Sequence, residues 1–168
     1  ISIRCNVKKS EESIPDRAKK GSAPILERLN ALDKDQLHAV LATESDGQPY
    51  TSMIAFALSS DKKGIVFITP QRTRKYKNIL KNNHVSLLID TRSNTEKDYM
   101  NAESLTILGN AFPVRKGGKW SELTKALIRK HPNLNEIIRS PETKLIFVKI
   151  TRCIHVTRFQ TVSELIAK

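Results

Sequence analysis

The chain has 168 residues, of which 39% are hydrophobic and 27% charged, and carries a net charge of +12. That length and apolar content support one domain with its own core and exclude an intrinsically disordered chain. No run approaches the ~18 apolar residues of a membrane helix, and the polar N-terminus lacks the apolar centre of a signal peptide. A soluble, cytoplasmic protein with no membrane partner is therefore expected.

Residues 1–20 are polar and charged and read as an N-terminal arm, followed by a single domain over 21–168. Pro24 opens a helical pattern in which Ile25, Leu26, Leu29 and Leu32 recur on one face, ending at Asp33-Lys34-Asp35. Strands are predicted at His38–Glu44, Tyr50–Ser59 and Ile65–Thr69. Asp46-Gly47 supplies the first turn, and Asp61-Lys62-Lys63-Gly64 the second, with Gly64 as its turn residue. From Thr73 to Asn82 the period changes: Tyr76, Ile79 and Leu80 fall at helical spacing, with Thr73 at the N-cap. His84–Asp90 returns to strand, Thr91–Met100 is a polar connection, and Leu105–Val114 is a further strand with Gly109 at a bulge. Trp120, Leu123 and Leu127 mark a helix stopped by His131-Pro132. Leu145–Thr157 is a long last strand, and the tail Val162–Lys168 is expected to add a helical turn. The fold class that results is mainly β: a six-stranded antiparallel barrel with short helices.

The stretch richest in chemistry is Thr69-Pro70-Gln71-Arg72-Thr73-Arg74-Lys75, which joins the third strand to the short helix. A helix N-terminus offers unpaired N–H donors and a partial positive charge. Thr69 and Thr73 add hydroxyls, Arg74 a planar fork and Lys75 a point charge. Together these suit a phosphate dianion. The same residues also describe a solvated basic helix start, and the segment alone leaves the two readings equal. No Gly-rich phosphate loop is present, so nucleoside triphosphate hydrolysis has no support.

Five pieces in order carry a resemblance: Gly47-Gln48-Pro49-Tyr50, Ser52-Met53-Ile54-Ala55, Phe67-Ile68-Thr69, Thr73-Arg74-Lys75 and Asn82-Asn83-His84-Val85-Ser86-Leu87-Leu88. With Ser104–Ala111 following, this arrangement resembles the pyridoxamine 5′-phosphate oxidase-like superfamily of FMN-binding split barrels, over roughly residues 25–115. The resemblance implies that Arg74 and Lys75 grip the FMN phosphate, with Thr69 and Thr73 as hydroxyl donors. It implies that Ser52, Met53, Ile54 and Ala55 run beside the isoalloxazine and meet it through main-chain groups, next to Ile68. It implies that Ser104 reaches the flavin from the other subunit of a homodimer. Members that oxidise pyridoxamine phosphate carry further basic residues where this chain has Ser52 and Ala57, and a Lys where it has Pro70. Their C-terminal Arg-Leu-His segment has no counterpart in Cys153–Phe159. An oxidase of vitamin B6 proper is therefore not expected.

The functional expectation is an FMN-dependent oxidoreductase acting on an unidentified small molecule, with no side chain nominated as catalytic. The alternatives are the deazaflavin F420 or haem in the same fold, His155 being the candidate haem ligand, or a basic nucleic-acid-binding domain. Nucleic acid is the weaker partner reading, because no helix-turn-helix, zinc finger or aromatic platform accompanies the charge. His38, His84, His131 and His155 fall at no metal spacing, so no metal site is expected. Cys5 and Cys153 read as two reduced thiols, a disulfide between them being the alternative.

Overall fold

The computed structural model describes residues 22–157 and 161–167, with side chains described from Ile25 onward and not at Thr161. The predicted arm over 1–20 and Cys5 lie outside the described residues. In chain order the elements are α1 (Ser22–Asp35), β1 (His38–Ser45), β2 (Gln48–Leu58), β3 (Gly64–Pro70), α2 (Arg74–Lys81), β4 (His84–Asp90), α3 (Asp98–Asn101), β5 (Glu103–Pro113), α4 (Gly118–Lys130), a 3-10 turn (Pro132–Leu134), α5 (Asn135–Arg139), β6 (Thr143–Thr157) and β7 (Thr161–Ile166).

All strands pair antiparallel in the order β3-β2-β1-β4-β5-β6-β7, and β3 also pairs with β6. That extra pairing closes six strands into a barrel and leaves β7 as an appended edge. Alternation along each strand decides what enters the barrel. Leu41, Phe56, Ile65, Phe67, Leu87, Ile89, Leu105, Ile107, Ile146 and Val148 point inward and are fully buried. Each such side chain contributes ~1.5–3 kcal/mol relative to exposure. Ile25, Leu29 and Leu32 of α1 join the same core.

A second apolar cluster lies outside the barrel wall. There Ala57 and Val66 are covered by Leu123 and Leu127 of α4 and Ile138 of α5. Polar contacts lock this layer to β2. His131 Nε2–H donates to Phe56 O (2.8 Å), and Lys130 pairs with Asp33 (2.8 Å) while its ammonium stands 3.6 Å from the Phe56 ring centroid. Asp33 also accepts from Leu58 N at 3.0 Å. Burial holds the Lys130 ammonium below its usual pKa despite Asp33.

Four local expectations change. The tail forms β7 rather than a helical turn, because the free edge of β6 satisfies its backbone groups from Arg152↔Ile166 to Thr157↔Thr161. Gly64 is not the turn residue: Lys62 takes the positive φ of 58°, and Gly64 lies in β3, where an added Cβ would stand 2.2 Å from the Phe147 ring. The polar connection contains α3, organised by Asp98, whose carboxylate accepts from the N–H groups of Ser93, Asn94 and Thr95 and is held below the usual carboxylate pKa by those bonds. The bulge lies opposite Gly109 rather than in its strand: Leu108 pairs with Arg152 and Gly109 with Ile150, so Thr151 of β6 is the extra residue. Gly109 permits the close approach there, since a Cβ would stand 2.5 Å from Lys149 O.

Gly109→Ala is accordingly expected to destabilise the fold by ~1–3 kcal/mol, as overpacking does. A chain of this size loses ~2–4 °C in Tm per kcal/mol. Thermal unfolding of the variant beside Gly118→Ala, which meets open space, checks this.

Candidate functional site: an anion-binding notch

β2 and β3 pair over only three positions, Phe56↔Phe67 to Leu58↔Ile65. Beyond Phe67, β3 keeps to β6 as far as Pro70↔Thr143, while β2 keeps to β1 as far as Gln48↔Ser45. The two strands therefore diverge. On the side facing the gap, the alternate N–H and C=O groups of residues 51–55 have no strand partner among the described residues. A strand edge left unpaired in this way needs other hydrogen-bonding partners.

α2 stands at the β3 side of this gap. Thr73 caps it, with its Oγ1 accepting from Tyr76 N at 3.4 Å. Thr73 Oγ1 also donates to Pro70 O (2.9 Å) and lies 2.8 Å from the buried Thr69 Oγ1, so the proton between the two hydroxyls comes from Thr69. Arg74 N–H and Lys75 N–H, in the first turn, have no acceptor within the helix. No acidic side chain occupies that turn. The Arg74 guanidinium stacks 5.0 Å from the Tyr50 ring centroid. Lys75 is half-buried, and desolvation lowers its pKa. Neither cation forms an ion pair with a described carboxylate, in contrast to Arg72, which pairs with Glu142 at 3.2 Å.

The helix is fixed from behind. Asn78, buried in the middle of α2, donates from Nδ2 to Thr43 Oγ1 of β1 at 3.0 Å. Asn82 bonds Glu44, Lys81 pairs with Asp46 at 3.0 Å, and Tyr76 and Ile79 pack on the core. The helix start is thereby held against the barrel before any ligand arrives.

Of the residues expected in the site, Thr69, Thr73, Arg74 and Lys75 come together on one side of the gap and Ser52–Ala55 on the other. Ile54 is buried in the core, so only its main chain is offered to the gap. Met53 points outward and is 69% exposed. Ser52 Oγ is buried with no hydrogen-bond partner among the described residues. Ile68 packs with the outer cluster. Ser104 does not join the notch within one chain: it pairs with Asp90 and Val156, and β1 and β4 separate its strand from β2. Ser104 instead lines a cavity of about 220 Å³ with Leu88, Asp90 and Val156. Sequence reasoning missed Tyr50, Thr43 and Asn78 as supports. Asn78 left a signal, because an Asn inside a short helix is a poor helix former that its tertiary contact retains.

His155 is engaged. Its Nε2–H donates to Glu103 (2.7 Å), and Glu103 also binds Arg28. Burial and the nearby Arg28 charge hold the imidazole below its ordinary pKa, which keeps it neutral. The Cys153 thiol is free and buried, its pKa pushed up to about 11. No group of three or more potential metal ligands occurs among the described residues, and no described helix is long and apolar enough to cross a membrane.

A closed six-stranded barrel, parted between β2 and β3, defines a split barrel, and at the parting it carries two cations without an ion-pair partner among the described residues. Residues 25–157 match the family described as pyridoxamine 5′-phosphate oxidase, and the chain belongs to that family. Solved structures agree on the fold. A haem-binding protein from Mycobacterium smegmatis is 16% identical, with 88% of this chain and 59% of that one covered at a TM-score of 0.74. ChuZ from Campylobacter jejuni is 14% identical, with 87% and 61% covered at 0.73. An FAD-binding protein from Mesorhizobium loti is 13% identical, with 77% and 91% covered at 0.61. The chain spans about three fifths of the length of the first two. No curated protein matches the sequence.

Lys75 gives the notch a pH signature. Its folded pKa lies below the ordinary 10.5, so the unliganded fold gains stability as pH rises through that lowered value and the gain is complete above 10.5. Anion binding needs the proton and runs the other way. Affinity for inorganic pyrophosphate should fall on the alkaline side before pH 10.5, whereas Lys75→Arg should hold its affinity there, because a guanidinium stays charged. Calorimetric titrations across that range would show it.

Proposed function

We propose that the chain is an FMN-binding flavoprotein, an oxidoreductase acting on a small molecule, with the FMN phosphate in the notch between β3 and α2. The observation that carries this reading is the pair Arg74 and Lys75: two cations at a pre-fixed helix start, one of them partly desolvated, with no carboxylate partner among the described residues. Partly desolvating an ammonium without a counter-charge is costly, and a phosphate dianion supplies that charge. The adjoining gap has free main-chain groups along 51–55 and the unpartnered Ser52 Oγ, which suit the polar edge of a flavin ring.

When bound, the flavin would supply two-electron redox chemistry. The protein's part is binding and orientation. Arg74, Lys75 and the first-turn N–H groups hold the phosphate end, and rotation of the Thr69 and Thr73 hydroxyls from their mutual bond adds donors. The β2 edge fixes the ring. Nothing in the notch stands out as a side-chain acid or base, so proton transfer to the substrate is assigned to no residue.

A homodimer completes the reading. The outer face of β1, β4, β5 and β6 carries Val40, Leu88, Leu108, Ile154 and Val156, half-buried and covered by no described helix, with Met53 exposed beside them. Apolar sheet faces of this kind suit a subunit interface. Pairing through this face would bring Ser104 of one subunit towards the notch of the other. Haem is the second reading, favoured by the haem-binding neighbour. Against it, His155 already spends Nε2 on Glu103.

The double variant Arg74→Ala/Lys75→Ala should lose flavin retention at least a hundredfold with unchanged circular dichroism, each charge-assisted bond being worth ~1.5–3 kcal/mol. Copurification of the variant with full flavin would overturn the assignment, and mass spectrometry of the released cofactor separates FMN, F420 and haem. Leu88→Glu should shift sedimentation from dimer to monomer; a wild-type monomer with flavin bound would remove the interface and Ser104 from the site.

A further inference from the structure

A second cavity lies apart from the notch and shares none of its residues. It has about 430 Å³ and is bounded by α1, the Asp61–Lys63 turn, β6 and β7. Its lining is apolar: Leu26, Leu29, Ile150, Cys153, Leu165 and Ile166. Cys153 belongs to that lining as an apolar group, since its thiol stays protonated. The volume is in the ~300–1,000 Å³ range of small-molecule pockets.

Three exposed cations, Lys62, Lys63 and Lys149, line the solvent side of this cavity. None forms an ion pair with a described carboxylate. The one acid among the lining residues, Asp61, is turned into its own loop: it accepts from Ser59 Oγ at 2.6 Å and from Lys63 N at 3.1 Å. Lys62 holds its place at a φ of 58°, where Gly or Asn would be cheaper. An apolar pocket with a cationic mouth complements a molecule with an apolar tail and an anionic head. The chain's own first twenty residues have the wrong sign for that mouth, with six basic residues against three acidic.

We propose that this cavity binds a single-chain fatty acid, its tail among Leu29, Ile150, Cys153 and Leu165 and its carboxylate among Lys62, Lys63 and Lys149. The volume of about 430 Å³ and its apolar lining suit a single alkyl chain of medium length. Binding there is independent of the flavin notch.

The test is displacement of 1-anilinonaphthalene-8-sulfonate from the full chain by dodecanoate. One saturable site is expected. Each added methylene between octanoate and dodecanoate should tighten binding roughly fourfold. Lys62→Glu/Lys149→Glu should weaken dodecanoate at least tenfold while leaving thermal unfolding in place. Leu26→Trp, a change at a partly exposed helix position, should block the cavity and abolish displacement. Arg74→Ala/Lys75→Ala should bind dodecanoate as the parent does, so failure of the flavin reading and failure of this one are told apart. The proposal is overturned by absence of displacement in the parent chain, by equal binding of dodecylammonium, by unchanged affinity in both cavity variants, or by loss of binding in the Arg74/Lys75 variant alone.

Discussion

The barrel closes because β3 pairs with β6 along its whole length, from Gly64↔Lys149 to Pro70↔Thr143. A strand has two edges, and β3 has committed one to β6. It can follow β2 on the other only while the two run together, which they do for three residues. Closure and the parting of β2 from β3 thus have one cause. The parting leaves main-chain groups of β2 without strand partners and directs the chain after Pro70 into a helix whose start faces the gap. The candidate site is a consequence of how this small barrel closes.

The helix start works only if it stays where closure puts it. A helix of eight residues has little stability of its own in water. Here it is held by tertiary contacts: the buried Asn78–Thr43 bond, the packing of Tyr76 and Ile79, and the tie from Asn82 to Glu44. Those contacts keep Arg74 and Lys75 near each other against their mutual repulsion, with no carboxylate among the described residues paired to offset it. That uncompensated charge is why the notch is read as a ligand site. The outer helical layer plays a different part, since its ion pair and ring contact, Asp33–Lys130–Phe56, stiffen β2 just before it parts from β3.

Two surroundings account for part of the basic composition. The notch sets cations beside an unpaired strand edge, where a compact dianion is proposed to bind. The cavity behind α1 sets cations beside an apolar lining, where an amphiphile is proposed. Other basic residues are solvated side chains, such as Lys125 and Arg129 on α4.

The sequence by itself determined the succession of strands along the chain up to β6, the cap at Thr73 and the cationic helix start, but not the order of strands in the sheet, because the former rest on local periodicity and turn chemistry: the alternation of His84–Asp90, the pair Asp46-Gly47 with φ of 58° and 79°, and the helical spacing after Thr73. It also supported the pyridoxamine 5′-phosphate oxidase family through the order of its pieces. It left open whether the basic segment was a solvated face or a site, and the tertiary structure adds what surrounds that segment. Only the fold shows that Arg72 has a carboxylate partner while Arg74 and Lys75 have none among the described residues. Only the fold places Ser104 away from the notch of its own chain, turns the tail into β7 and assembles the cavity from α1, the Asp61–Lys63 turn, β6 and β7. Those facts depend on residues far apart in the chain, and no local pattern records which distant edge or charge a segment will meet.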